Sequence, residues 1–122
     1  MMNVVLVMAG GAVGSAARYW VGALLPVSAG SFPLPTFVVN LLGSFVLGVL
    51  VGHGMSERPI APSQQLLLGT GFCGGFTTYS AFAVESVSLL QRGDAVVAGT
   101  YVLATVGGCM LSAALGLFLT RP

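Results

Sequence analysis

The stretch that decides the fold is Gly71-Phe-Cys-Gly-Gly-Phe-Thr-Thr-Tyr-Ser-Ala-Phe82, which lies in the middle of a long apolar segment. Its glycines, threonines and serine all lower helix propensity at one place. In a lipid bilayer, backbone that leaves the helix must be buried in protein or line a water-filled path. A span that breaks at membrane depth therefore indicates an ion or substrate site.

The composition around this stretch is that of an all-α integral membrane protein. Of the 122 residues, 56% are hydrophobic and only 6% are charged, whereas soluble domains carry about 25% charged residues. A net charge of +1 and the lack of lysine argue against a nucleic-acid partner. The two cysteines, Cys73 and Cys109, are predicted to be small buried hydrophobic residues rather than a disulfide or a metal site.

Four membrane spans account for nearly the whole chain, since a helix needs roughly 20 apolar residues to cross. The predicted spans are residues 4–25, 36–52, 64–90 and 95–119, and the third is broken in its middle. The segments between them contain prolines, charged residues or the tight turn Arg92-Gly93-Asp94. Residues 1–122 therefore form a single membrane domain with contacts to the lipid bilayer.

The arginines indicate how the chain is oriented. Four spans place both termini and the middle loop on one side of the membrane, which therefore holds Arg58 and Arg121. The other side holds Arg92, and Arg18 lies in the half of the first span that is nearer to that other side. The excess of Lys and Arg that marks the cytoplasmic side is almost absent. This balance predicts an antiparallel, dual-topology homodimer; the alternative is that the insertion machinery still selects one orientation.

Three helix faces carry small and polar residues at intervals of four. Small residues at this spacing let helices pack closely in lipid, which explains the glycines without any further role. Asn40 differs, because intramembrane polar groups are costly and tend to be functional. The faces are Gly10, Gly14, Arg18 and Gly22 in the first span, Thr36, Asn40, Ser44, Gly48 and Gly52 in the second, and Tyr101, Thr105 and Cys109 in the fourth.

A lone carboxylate, Glu85, follows the break by one helical turn. Such a group is either a proton-coupling site or a structural partner, here for Arg18 or for a backbone N–H group that the break releases. The sequence alone leaves these alternatives open.

The polar groups of the spans suit ion movement better than catalysis. No nucleophile–base pair and no metal-ligand spacing occurs, which argues against an enzyme. Hydroxyl and amide donors can replace the water shell of a small anion without holding it too tightly. The positive edges of aromatic rings favour anions, whereas carbonyl oxygens released by the break would suit a cation such as Na⁺. The candidate donors are Asn40, Thr36, Thr105 and Ser112, and the candidate rings are Tyr79 and Phe82.

Three motifs in order resemble the CrcB/Fluc family of small bacterial fluoride channels over nearly the whole chain. Gly11-Ala-Val-Gly-Ser-Ala-Ala-Arg-Tyr19 is similar to the family's first-span Gly-x-x-Gly-Ala-x-x-Arg-Tyr, with Ser15 for the usual Ala. Thr36-Phe-Val-Val-Asn-Leu-Leu-Gly43 is similar to its second-span Thr-x-x-x-Asn-x-x-Gly. Residues 71–82 are similar to its most specific motif, the broken third helix.

The resemblance implies a fluoride-selective passive channel that exports fluoride across the bacterial inner membrane and reduces its toxicity. It implies an antiparallel homodimer with two pores and a structural Na⁺ at the dimer centre, held by the backbone carbonyls of Gly74 and Thr77. It also implies a role for each matching residue: a hydrogen bond to fluoride from Asn40, a ring edge at Phe82, a polar track of Tyr101, Thr105 and Cys109, a vestibule residue at Arg18 and a buried structural acid at Glu85.

Two positions depart from the family pattern. Tyr79 stands where the first ring is commonly Phe, and Cys109 replaces a hydroxyl with a thiol, which is a weaker donor. Two other functions stay open. One is a proton-coupled small multidrug exporter, a class of similarly short, four-span chains. Those exporters resemble one another in having an essential carboxylate in the first span. This chain has none there, so Glu85 would have to take that role. A structural scaffold would show no conductance.

Overall fold

The computed structural model describes residues 1–122, and every regular element in it is helical. In chain order these are α1 (Met2–Leu24), α2 (Leu34–Gly54), a helical arm α3 over residues 62–76, α4 (Tyr79–Gln91) and α5 (Ala95–Thr120). Three of them, α1, α2 and α5, are long and apolar enough to cross a membrane. The predicted α-helical membrane class is confirmed, and the helix ends lie within two residues of the predicted span ends.

The predicted break lies at Thr77 and Thr78, between α3 and α4. Both residues are extended, with φ/ψ of −86°/157° and −149°/116°. Thr77 Oγ1 donates to the Cys73 carbonyl at 2.8 Å, at the end of α3. Thr78 Oγ1 accepts the Ala81 N–H at 3.2 Å and so caps the start of α4. The two threonines therefore end one helix and begin the next.

The arm α3 is irregular before the break as well. It consists of an α-helical turn at Pro62–Gln65, a π-helix at Leu66–Cys73 and a last turn at Gly74–Phe76. π-helical winding is rare and frequently occurs at functional sites. The glycines of residues 71–82 predict a break but not this π-helix, which extends the distortion of the third span back to Leu66.

Glycines bring α1 and α3 into backbone contact. A Cβ atom on Gly10 would overlap the Leu67 carbonyl oxygen, and one on Gly14 would overlap that of Phe72. Gly75 of α3 meets the backbone of α1 in the same way. The packing interpretation of this face is confirmed for Gly10 and Gly14, but not for Gly22, whose Cβ would meet nothing within 4 Å.

A second close pair joins α2 and α5. A Cβ on Gly48 would overlap the Ala113 carbonyl oxygen, and one on Gly116 would overlap that of Phe45. Ser112 Oγ donates to the Leu41 carbonyl at 2.9 Å. Ser112 is thereby occupied in holding these helices together, which removes it from the candidate ion donors.

Candidate functional site

A groove of about 540 Å³ opens at the break, between α2, α3, α5 and the start of α4. No charged side chain lines it. It brings together most of the predicted site residues, namely Asn40, Gly74, Thr77, Tyr79, Phe82, Thr105 and Cys109, with Thr78 and Ser44 beside them. Two predicted pore residues, Thr36 and Tyr101, do not line this groove.

Asn40 holds the break in place through both ends of its carboxamide. Its Oδ1 accepts the backbone N–H of Thr78 at 2.7 Å, and its Nδ2 donates to the Thr78 carbonyl at 3.0 Å. The side chain is 8% exposed. The extended conformation of Thr78 leaves these backbone groups without helical partners, so Asn40 replaces the missing helix hydrogen bonds. One N–H of the amide stays free of hydrogen bonds within the chain.

Arg18 lies against the other side of the break. Its Nε donates to the Gly75 carbonyl at 3.0 Å, and the side chain borders a separate hollow of about 440 Å³ together with Thr36 and Thr78. The Thr77 carbonyl, in contrast, accepts no hydrogen bond within the chain. Gly74 is exposed, with open space where a Cβ would stand. The break therefore has one face tied to α1 and α2 and another face with free backbone oxygen.

A row of edge-to-face aromatic rings runs from the groove towards the α1–α2 loop. Tyr79 and Phe82 lie 5.6 Å apart between centroids, Phe82 and Tyr101 lie 5.2 Å apart, and Tyr101 and Phe32 lie 5.2 Å apart. Phe82 is buried, whereas Tyr79 is 80% exposed. Edge-to-face contact points ring hydrogens, which carry positive partial charge, at a neighbour. The sequence did not indicate Phe32 as a member of this row, because it lies in the proline-rich loop and outside the predicted spans.

Glu85 accepts two hydrogen bonds from side chains of other helices. Thr36 Oγ1 donates to Oε1 at 2.7 Å, and the Tyr101 hydroxyl donates to Oε2 at 2.8 Å. Neither of the partners considered from the sequence, Arg18 or a backbone N–H, makes this contact. Thr36 and Tyr101 thus surround the carboxylate, and Phe82 connects this cluster to the groove through its contact with Tyr101.

Thr105 carries the one buried side-chain polar atom that has no hydrogen-bond partner, Oγ1. The residue is 6% exposed and lines the groove. Cys109, one helical turn further along α5, lines it too and is only half-buried, whereas Cys73 is 2% exposed. The predicted burial of the cysteines is confirmed for Cys73 and is wrong for Cys109, because the groove opens the α5 surface at that turn.

These groups form a membrane-depth site of uncharged donors. Buried polar groups are almost always hydrogen-bonded, so the hydroxyl of Thr105, a residue of the groove wall, is an exception that calls for a partner from outside the chain. No cluster of three or more His, Cys, Asp or Glu residues could hold a metal ion. The fold and site define a multi-pass α-helical membrane protein with a groove at a helix break, lined by apolar surface and a few uncharged polar side chains.

Comparisons with known proteins identify the family. The family described as "CrcB-like protein, Camphor Resistance (CrcB)" matches residues 5–117. A "Fluoride-specific ion channel FluC" of Chlorobaculum tepidum is 46% identical over 118 residues, covering 94% of each chain. "Fluoride-specific ion channel FluC 2" of Rhodococcus jostii is 49% identical, covering 98% of this chain and 99% of the relative. The chain belongs to the CrcB family, and these relatives are named as ion channels rather than enzymes.

Proposed function

We propose that the protein is a fluoride-selective passive ion channel. The observation that carries this proposal is the unpartnered hydroxyl of Thr105, buried in the wall of a groove that the Phe82 ring also borders. A hydroxyl donor and ring edges without a fixed positive charge can replace the hydration of a small anion and still release it. The names of the relatives in Chlorobaculum tepidum and Rhodococcus jostii support fluoride as that anion.

The functional unit is an antiparallel homodimer in which each chain crosses the bilayer four times, α3 and α4 together forming the third span. Two observations support a second copy: the groove is open along one side, and Tyr79 is 80% exposed at the depth of the break. A phenol and free carbonyl oxygen at membrane depth need a protein or water neighbour, since lipid cannot hydrogen-bond them. Two grooves, closed by two copies, give two pores per dimer.

A structural Na⁺ lies at the dimer centre, held by the backbone carbonyls of Gly74 and Thr77 from both copies. The fit rests on the Thr77 carbonyl, which accepts no hydrogen bond, and on the open space around Gly74. When bound there, the ion would supply positive charge between the carbonyl oxygens of the two breaks. Arg18 and Asn40 contribute by fixing the neighbouring backbone of Gly75 and Thr78, which keeps the free carbonyls in place.

Export from the bacterial cytoplasm across the inner membrane requires no coupling ion. Hydrogen fluoride crosses bilayers as a neutral acid and dissociates inside the cell, where an inside-negative potential drives the anion out. A single charge gains about 2.3 kcal/mol per 100 mV, which lowers the internal concentration roughly fifty-fold. Glu85, with both oxygens engaged by Thr36 and Tyr101, serves as a structural acid that positions α4 and α5.

The proposal is tested by fluoride efflux from liposomes, read with a fluoride electrode, with chloride-loaded liposomes in parallel. Rapid fluoride release that needs only a potassium shunt, with chloride retained, is the expected result. Release that requires a proton gradient would favour a coupled exporter working through Glu85, and no release would favour a scaffold. Phe82→Ile should slow fluoride release, whereas Phe118→Ile, at a ring that is 65% exposed on α5, is the matched control.

A further inference from the structure

A further hollow, termed the outer hollow, lies between the α1–α2 loop and the C-terminal half of α4. Its volume is about 570 Å³, and it shares no wall residue with the groove at the break. Arg92, the residue that follows α4, is the one cationic side chain in its wall. The same wall contains Ser28, Ser31 and Ser88, which are all exposed. The outer hollow therefore combines one cation with several uncharged hydroxyl groups.

The outer hollow adjoins the space of about 440 Å³ that Arg18 borders, termed the inner hollow. Both hollows have Gly22, Pro35 and Thr36 in their walls. A Cβ atom on Gly22 would meet nothing within 4 Å, so open space lies at this junction. The inner hollow also shares Thr78, at the break, with the groove. The three spaces thus follow one another from the α1–α2 loop to the break.

Charged groups are unevenly placed along this series of spaces. Arg92 lies in the wall of the outer hollow and Arg18 in that of the inner hollow, but the outer wall also contains Glu85. Asp94 lies close behind the loop, since its Oδ2 is 2.9 Å from the position of a Cβ on Gly30, and it does not cap α5. Without Arg92 this end of the series would carry carboxylates only, which repel an anion. A cation at a cleft raises the local concentration of anions instead.

We propose that Arg92 is a steering residue, which draws fluoride into the outer hollow as the mouth of a path to Arg18 and the break. The proposal rests on the proposed channel function and adds to it a point of entry. Arg92 is exposed, so its charge acts through water and is screened by electrolyte. The residue therefore raises the rate of anion entry without holding the ion, and this effect depends on ionic strength.

Fluoride currents through the full-length protein in planar bilayers of neutral lipid test the steering role. Wild type, Arg92→Gln and Arg92→Lys are compared at one low fluoride concentration, with sodium isethionate setting the ionic strength. The Debye length is about 30 Å at an ionic strength of about 0.01 M and about 3 Å at about 1 M. At the lower value Arg92→Gln should pass about threefold less fluoride, the effect of one unit charge in water at about 6 Å. At the higher value it should match the wild type, and Arg92→Lys should match it at both.

Arg121→Gln is the matched control for charge. It also removes an exposed arginine, but Arg121 lies in the wall of neither hollow nor of the groove. Its current should equal that of the wild type at both ionic strengths. Equal losses in Arg92→Gln and Arg121→Gln would overturn the proposal, because total surface charge would then be the cause.

Gly22→Leu tests the route by size rather than charge, and it serves if Arg92→Gln does not fold. The new side chain enters the junction of the two hollows and should lower the current at both ionic strengths. Gly99→Leu is its control, because Gly99 also faces open space but lines none of these walls. A wild-type current in Gly22→Leu would overturn the route.

The remaining outcomes separate the steering role from the channel itself. A conducting wild type with an unchanged Arg92→Gln current at low ionic strength would overturn the steering role and leave the channel standing. A loss in Arg92→Gln that persists at high ionic strength would assign Arg92 a structural role, contrary to the proposal. A wild type that passes no fluoride current would refute the channel and the steering role together.

Discussion

Replacing Asn40 with Ala removes the clamp on the helix break. Asn40 is 8% exposed, and the substitution deletes its hydrogen bonds of 2.7 and 3.0 Å, which leaves the N–H and C=O groups of Thr78 without partners. A buried orphaned polar group costs about 1–3 kcal/mol, whereas polar contacts inside membrane bundles average only about 0.6 kcal/mol. We therefore expect Asn40→Ala to lower the free energy of unfolding by about 1–3 kcal/mol, where the lower end corresponds to two average membrane contacts and the upper end to one fully buried orphaned group.

The matched control is Ser44→Ala, one turn further along the same face of α2. Ser44 lines the same groove but its hydroxyl, unlike that of Ser112, makes no hydrogen bond to another helix, so its loss should change stability by less than about 0.5 kcal/mol. Unfolding in mixed micelles, followed through the single tryptophan, Trp20, measures both variants, and fluoride efflux from liposomes is recorded beside it. Asn40→Ala should also slow efflux, since the break borders the groove.

Equal unfolding of Asn40→Ala and Ser44→Ala would refute the clamp. Slower efflux from an Asn40→Ala protein of unchanged stability would then show that the amide acts on the anion alone. Lower stability with unchanged efflux would assign Asn40 a purely structural role and remove it from the pore.

Three further changes separate structural from conducting groups. Thr105→Val removes an unpartnered hydroxyl at constant shape, so the free energy of unfolding should stay the same or rise by up to about 1 kcal/mol while fluoride efflux falls. Unchanged efflux would contradict the place of Thr105 in the pore. Tyr101→Phe removes the hydroxyl that donates to Glu85 and should lower the free energy of unfolding by about 1.5–3 kcal/mol. An unfolding free energy equal to that of the wild type would contradict a stabilising role for that hydrogen bond. Gly14→Ala drives a Cβ into the α3 backbone and should lose about 1–3 kcal/mol or broaden the gel-filtration peak, whereas Gly22→Ala, in open space, should not; similar behaviour of the two would contradict the close packing.

Features set by local chemistry could be predicted from the sequence. The helix boundaries follow from apolar runs that end at prolines and charged residues, and the break follows from two threonines after a glycine pair. The tight turn between the last two helices holds Gly93 at φ +87°, a conformation that favours glycine. Each of these depends on residues that are neighbours in the chain.

Features set by helix rotation and tilt could not be predicted in this way. Asn40 reaches Thr78 across 38 positions, and Glu85 meets Thr36 across 49. Spacing along a helix shows that Tyr101 and Thr105 share a face, but not that Tyr101 binds a carboxylate while Thr105 stays free. The π-helix has the same origin, since its widened winding accompanies the backbone contact between Gly71 and Gly10, which no single segment encodes.

The backbone groups released by the break are only partly satisfied within one chain. Asn40 satisfies the N–H and C=O of Thr78, and Arg18 satisfies the carbonyl of Gly75, so the side of the break that faces α1 and α2 is complete. The Thr77 carbonyl has no such partner. Tyr79, the next residue but one, is 80% exposed. A bilayer offers a hydrogen-bond partner to neither a carbonyl nor a phenol, so each group needs water or a protein neighbour. A shared Na⁺ would bind the Thr77 carbonyl, and the surface of a second copy would cover Tyr79, so the proposed Na⁺ site requires the proposed dimer.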